Sequence, residues 1–548
     1  MRQIYLILCL FGCLLSACGG GGSSAPASSL SASGNVTPPA SLPSTKVTVS
    51  GNVSYDFIPH DPISFGLDYT AISTKAVTSM RVDLLGEGDQ ILETSMTDAE
   101  GYYRFELDQD QSVKVRVSAS LSVDNGKSWS FTVRDNLAEG KVYRLESDWV
   151  TATSDMTLDL HAASGWSAQG YSASRQAAPF AILDTLQLAT TKLIATDAEI
   201  SFPNLDVFWS VENKTTLGQR DVGHIGATQY VSSDQPAIFV LGEADKNTDE
   251  YDQHVILHEF GHYFEDQFSR YDSIGGVHAF DEKLDPRVAF SEGFSHAFAA
   301  MILGDPIYRD SKGHAQQSGF GVDLENDLTA QTGWFNEVTI ASIIYDVFDE
   351  HPDYGDHISG GFDAIYKTMT SEAFMSSNFF STIYSFSEAL TTVTDVDPID
   401  LNILLTDRAI TGFGEAGQGE RNDGGISSSL PVYKVLSVDQ PSAQICSVSG
   451  AGNFNKLGNR EYIRLDIPRR DTYSLTVTSI EGQQERDPDF LIWQSDDLIA
   501  KVETVQSDAD RFTGALEAGV YILEAYDFFN VNGLASQRRD SCFDFTLT

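Results

Sequence analysis

The run His254-Val255-Ile256-Leu257-His258-Glu259-Phe260-Gly261-His262 decides how the rest of the chain is read. His258 and His262 stand four positions apart, so on a helix they project from one face, where two ring nitrogens can meet at one metal ion. Glu259 lies beside them without being a ligand. Val255 and Leu257 are apolar enough for an interior helix, and Asn247 followed by Glu250, or Thr248, offers an N-cap. Upstream, Ala237-Ile238-Phe239-Val240-Leu241-Gly242 reads as a buried strand. It is also a candidate edge on which an extended substrate could add as a further strand.

A metal ion held by two histidines needs a third ligand. The segment Ala289-Phe290-Ser291-Glu292-Gly293-Phe294-Ser295-His296-Ala297-Phe298 follows Asp285-Pro286, a cap and a favoured first-turn proline, and therefore predicts a second helix. Together the two segments resemble the gluzincin metallopeptidases, and Ser291-Glu292-Gly293-Phe294-Ser295 is similar to the N-E-G-F-A of aminopeptidase N-like enzymes. The resemblance implies a Zn2+ site of His258, His262 and Glu292, with one position left open, as catalytic rather than structural zinc requires. It implies Glu259 as general base for peptide hydrolysis. Thermolysin-like enzymes carry an Asp four residues after the glutamate ligand, where this chain has His296, so the groups that orient the ligands must differ. Asp266, Asp272, Asp281 and Asp285 are the candidates. No G-A-M-E-N strand occurs near Ala237 to Gly242, which favours endopeptidase over aminopeptidase action. For stabilising the oxyanion, Tyr345 on the apolar run Trp334 to Phe348 is the first choice and His278 the second. His254, one turn before His258, reads as a packing residue.

The N-terminus has one basic residue, Arg2, an apolar run from Ile4 to Leu15, and then Ser16-Ala17-Cys18. Leu15-Ser16-Ala17-Cys18 resembles the lipobox of bacterial lipoproteins. That implies a signal peptide over 1–18, a lipid (palmitate) on Cys18 and membrane tethering; Gly19, not Asp, points to the outer membrane. Residues 19–45, rich in Gly, Ser, Ala and Pro, form a flexible linker. Of the remaining cysteines, Cys446 and Cys542 make an even pair that predicts a disulfide in an oxidising compartment. With 78 acidic against 35 basic residues in 548, the net charge of −43 repels phosphate backbones and excludes nucleic acid as a partner. The loop Glu243 to Asp252 concentrates carboxylates and adds Ca2+ as a possible second cofactor, although it lacks the spacing of an EF-hand.

From 46 to 159, alternating runs such as Val47-Thr48-Val49 and Val113-Lys114-Val115-Arg116-Val117 predict a β-sandwich. Thr97-Asp98-Ala99-Glu100-Gly101-Tyr102-Tyr103-Arg104-Phe105 resembles a turn and strand of carboxypeptidase-regulatory-like sandwiches. From 160 to 425, apolar residues recur at helical spacing around Arg175–Ile194, Asp249–Phe268, Arg287–Leu303 and Asn336–Glu350. The last segment, 426–548, returns to strand periodicity. Its Asp487-Pro488-Asp489-Phe490 and Leu516-Glu517-Ala518-Gly519-Val520-Tyr521 resemble pre-peptidase C-terminal domains. The expected architecture is multidomain: a β-sandwich, a mainly helical zincin-like (α+β) domain and a second β-sandwich. The expected protein is a monomer acting on protein or peptide. The rival is a surface binding or adhesion lipoprotein with a vestigial zinc site.

Overall fold

The computed structural model describes residues 45–122, 127–326, 331–350, 357–480, 486–505 and 508–548. The signal peptide, Cys18 and nearly all of the expected linker lie outside the described residues. The strand Lys46–Phe57 alternates buried and open positions and pairs antiparallel with Tyr102–Asp108, from Lys46 opposite Asp108 to Asn52 opposite Tyr102. The turn leading into that partner forms as its sequence requires. Asp98 accepts from the backbone N–H of Glu100 and Tyr102, and Gly101 takes φ +78° where a Cβ would sit 2.4 Å from the Val53 carbonyl oxygen. Tyr103 and Phe105 then point into the core.

The expected boundary between 159 and 160 is not a seam in the fold. One ten-stranded sheet contains Met80–Leu85, Gln111–Leu121 and Phe131–Asp135 from the first region. It also contains Leu205–Trp209, Ala237–Val240 and Gln229–Val231 from the second. Phe131–Asp135 pairs in parallel with Leu205–Trp209, which pairs in parallel with Ala237–Val240. The reason lies in Phe131, Thr132 and Val133, all buried: a strand buried on both faces cannot be left as a wet edge, and its second backbone partner comes from beyond the expected boundary. Helix α1, Ala178–Thr196, buries Phe180, Ile182, Leu183 and Leu186, and one continuous apolar core runs from Val47 to the C-terminal strands. Ala237–Val240 is the buried strand expected, but it is paired on both sides, so it is not an edge. The outer strand there is Gln229–Val231.

Three further helices carry the sequence motifs: α2 over Gln253–Phe268, α3 over Pro286–Leu303 and α4 over Glu337–Phe348. Asp285 caps α3 through the Arg287 N–H, Pro286 opens its first turn and Gly304 closes it at φ +63°. The N-cap of α2 is Asp252, not Asn247 or Thr248, which pair with Gly242–Glu243 in a short hairpin instead. Two helical glycines let these elements approach closely. A Cβ on Gly261 would lie 2.9 Å from the Ser295 Cα, and one on Gly293 would lie 2.7 Å from the Glu337 carbonyl oxygen.

The last segment is a β-sandwich of a five-stranded and a four-stranded sheet with its own apolar core. Cys446 and Cys542 face each other on adjacent antiparallel strands and form the expected disulfide, S–S 2.07 Å. A buried network joins the sandwich to α3. The Arg287 guanidinium donates to both oxygens of Glu524, at 2.9 and 3.0 Å, and to both of Asp285, at 3.1 and 3.2 Å. The chain is thus multidomain in the sense of having two cores and substantial β-sandwich content. Among the described residues no helix is long and apolar enough to cross a membrane.

Candidate metal centre

Helix periodicity puts His258 and His262 one turn apart on α2, and α3 crosses that face with Glu292. The His258 and His262 Nε2 atoms are 3.2 Å apart, and they lie 3.1 and 3.3 Å from Glu292 Oε2. All three side chains are buried. Ligands held tetrahedrally at about 2.0–2.1 Å from a metal ion stand about 3.3–3.4 Å from one another. The three donor atoms therefore fit around one small divalent cation without rearrangement.

Each imidazole is oriented through its other nitrogen. His262 Nδ1 lies 3.1 Å from Ser291 Oγ, 3.1 Å from Ser295 Oγ and 3.4 Å from Glu265 Oε2, while Ser291 Oγ also donates to Glu265 at 2.7 Å. His258 Nδ1 faces His296 Nδ1 at 3.1 Å. These partners replace the four aspartates expected for the task. Asp266 takes the Tyr230 and Ser232 hydroxyls, Asp272 the Ser381 N–H, and Asp285 caps α3; none of these, nor Asp281, bonds a ligand ring. The sequence carried the true signal in its helical spacing: Glu265 is three residues after His262, and Ser291 and Ser295 flank Glu292 on the face turned to α2.

The electrostatics follow from burial and crowding. Burial would raise the Glu292 carboxyl, but His278 and His262 hold it well below the usual range. His262 is pushed well up by Glu292 and Glu265 despite its burial. His258 falls to about 4, chiefly through burial. Glu259 rises to about 7, again through burial, with Glu292 adding to the effect while His262 opposes it. Its Oε2 accepts the Tyr230 backbone N–H at 2.6 Å, so the outer strand holds this carboxylate in place.

Tyr345 does not join the centre. Glu337, in the first turn of α4, faces the ligands, and Tyr345 lies eight residues further, about 12 Å along the axis. Its hydroxyl responds to Glu325, Asp349, Asp305 and Asp323 instead. His278, the second choice, is at the centre, its Nε2 3.3 Å from Glu292 Oε2 and 3.5 Å from Glu337 Oε2. Two tyrosine rings also flank the centre, Tyr271 6.1 Å from that of His262 and Tyr308 6.3 Å from that of His258. His254 stays apart, its Nε2 3.2 Å from the Asp305 carbonyl oxygen.

The acidic loop is divided by the fold. Glu250 pairs with the buried Arg175 at 2.8 Å, whereas Asp249 and Asp252 meet Asp310 from the strand Ile307–Lys312, with donor atoms within 4.8 Å of one another. Asp252 also accepts from Ser311 N–H at 2.8 Å and contacts His60 Nε2 at 2.9 Å, and the Thr228 hydroxyl donates to Asp249. Burial raises all three carboxyls.

Residues 223–395, which contain His258, His262, Glu292 and His278, match the family model of the Mycolysin C-terminal domain. The match relates this segment to peptidases. An uncharacterized protein of Archaeoglobus fulgidus is 34% identical over 128 residues, 22% of this chain and 36% of that relative. The chain thus spans about a third of the length of the curated relative it matches. Among solved structures, the pre-peptidase C-terminal domain of a Bacillus anthracis collagenase aligns with 21% of the chain and 94% of its own, at 8% identity and a TM-score of 0.16. The surface-associated copper-binding protein CorA of Methylomicrobium album BG8 aligns with 21% of the chain and 96% of its own, at 6% identity and a TM-score of 0.17.

Proposed function

We propose that the chain is a zinc-dependent metallopeptidase of gluzincin type, an endopeptidase that cleaves protein or peptide outside the cytoplasm. The observation that carries this reading is the 3.1 to 3.3 Å triangle of His258, His262 and Glu292 donor atoms, with a buried carboxylate, Glu259, next to it. Imidazole, imidazole and carboxylate are the donors of catalytic zinc. Bound there, zinc supplies Lewis acidity, polarising a carbonyl and making water a stronger acid.

The chain's own residues do the rest. Glu259, raised to about 7 and fixed by the Tyr230 N–H, is matched to take a proton from the attacking water near neutral pH and return it to the leaving amine. His278 lines the same centre through its Nε2, 3.3 Å from Glu292 Oε2. Glu265, Ser291, Ser295 and His296 keep the ligand rings from turning. Export and lipid anchoring at Cys18 in the outer membrane, supported by Leu15-Ser16-Ala17-Cys18, complete the proposal.

The test is hydrolysis of casein by the purified chain and its Glu259→Gln variant, with bound metal quantified in both. Metal is expected to remain while turnover falls roughly 10²–10⁴-fold. Unchanged turnover would remove Glu259 from the mechanism, and bound zinc without any cleavage by the parent chain would favour the adhesion reading.

A further inference from the structure

We propose that the centre takes a second divalent cation, held by His278, Glu292 and Glu337, with Glu292 shared between the two ions. The proposal rests on the reading of His258, His262 and Glu292 as the first ion's ligands and adds a site to it.

Glu337 is the observation that demands an explanation. Its side chain is 0% exposed, yet neither carboxylate oxygen has a hydrogen-bond partner. Buried carboxylates are otherwise paired or bound to metal, because a lone one forfeits its hydration without return. The ammonium whose charge reaches it does not serve: Lys456 Nζ donates to the Val277 carbonyl and Asn455 Oδ1, both at 2.7 Å, and lies 3.2 Å from Glu282. What does surround Glu337 is a set of potential metal donors. The His278 Nε2, Glu292 and Glu337 donor atoms all lie within 4.8 Å of one another, and His278 Nε2 is 3.3 and 3.5 Å from the two carboxylates. The two His278 distances are those of atoms sharing one ion.

The remaining contacts prepare His278 for this role. Its Nδ1 faces the Gly276 carbonyl at 3.0 Å, which leaves Nε2 for the centre. The loop is pinned from the last segment of the chain by Asn455 on the Gly275 carbonyl at 2.9 Å and by Lys456 on that of Val277. Gly276, at φ +101°, admits the Phe454 ring, which a Cβ would meet at 2.7 Å. His296 completes the wall. When His258 binds metal through Nε2, its Nδ1–H donates to His296 Nδ1, so His296 carries its proton on Nε2, which is otherwise unpartnered and 3.9 Å from Glu337 Oε2. One imidazole with two carboxylates selects Zn2+, Co2+ or Mn2+ rather than Ca2+.

The experiment counts ions. Full-length chain is dialysed to saturation with zinc, freed of loosely held metal and analysed for zinc per chain, beside Glu337→Gln and His278→Ala. Two equivalents are expected in the parent and one in each variant. The same three proteins loaded with Co2+ should show magnetic coupling in the parent only, which excludes metal scattered on the acidic surface. One equivalent in the parent with casein cleavage intact would overturn the second site and leave the peptidase reading standing; none would remove both. Two coupled ions persisting in both variants would also overturn the assignment.

Discussion

Replacing Arg287 by methionine should destabilise the fold strongly, because this side chain neutralises two buried carboxylates at once. Arg287 is 2% exposed and makes four charged hydrogen bonds, two each to Asp285 and Glu524, and it stacks 4.6 Å over Phe380. Breaking a buried ion pair by removing one partner costs about 3–5 kcal/mol. Some compensation survives: Glu524 keeps Arg460 Nε at 2.7 Å and Trp493 Nε1 at 3.2 Å, and Asp285 keeps the Tyr462 hydroxyl. The expected loss is therefore about 3 kcal/mol, a factor of roughly 10² in the unfolding equilibrium. Arg287→Lys, which keeps the charge but not the planar fork, should fall between parent and methionine variant. The assay is urea unfolding followed by tryptophan fluorescence. A loss under about 1 kcal/mol, the range of exposed pairs, would refute the view that this network locks the C-terminal sandwich onto α3.

Glu265→Ala should lower metal affinity roughly 10–100-fold, read by competition with a chelator, because His262 loses a group that orients it. Gly293→Ala should destabilise by about 1–3 kcal/mol in thermal melts, since the new methyl meets the Glu337 backbone at 2.7 Å and that carbonyl cannot turn aside. Cys446→Ser with Cys542→Ser should cost about 2–5 kcal/mol in urea unfolding, the bridge closing a loop of 96 residues, and a reductant should affect the parent alone. Asp489 gives a pH signature. Burial, with Asp487 and Glu503 nearby, lifts its carboxyl to about 8, while an unfolded aspartate titrates near about 4. Between those values the folded chain holds a proton that the unfolded chain lacks, so stability falls as pH rises through this window. Melting temperatures of Asp489→Asn should decline less over the same range; parallel curves would exclude Asp489 as the cause.

What could be read from residues alone was what local rules govern. The i, i+4 histidines, the Asp285-Pro286 start of α3, the Asp98–Gly101 turn, the helical run from Asn336 and the alternation of the sandwich strands depend on neighbours within a few positions, and all are found in place. Glu292 was reachable because helix spacing and motif resemblance agreed. Other features required contacts between distant segments, which periodicity does not encode. The sheet crosses 159/160 because Phe131–Asp135 finds its partner some seventy residues on. Helix α2 starts after Asp252 because the hairpin occupies Asn247 and Thr248. Tyr345 was misplaced because being on the right helix says nothing about height along it, and only the crossing of α3 and α4 determines that Glu337 rather than Tyr345 reaches the ligands. Local sequence determines which faces an element presents; the burial of those faces against elements far away in the chain determines which side chains meet.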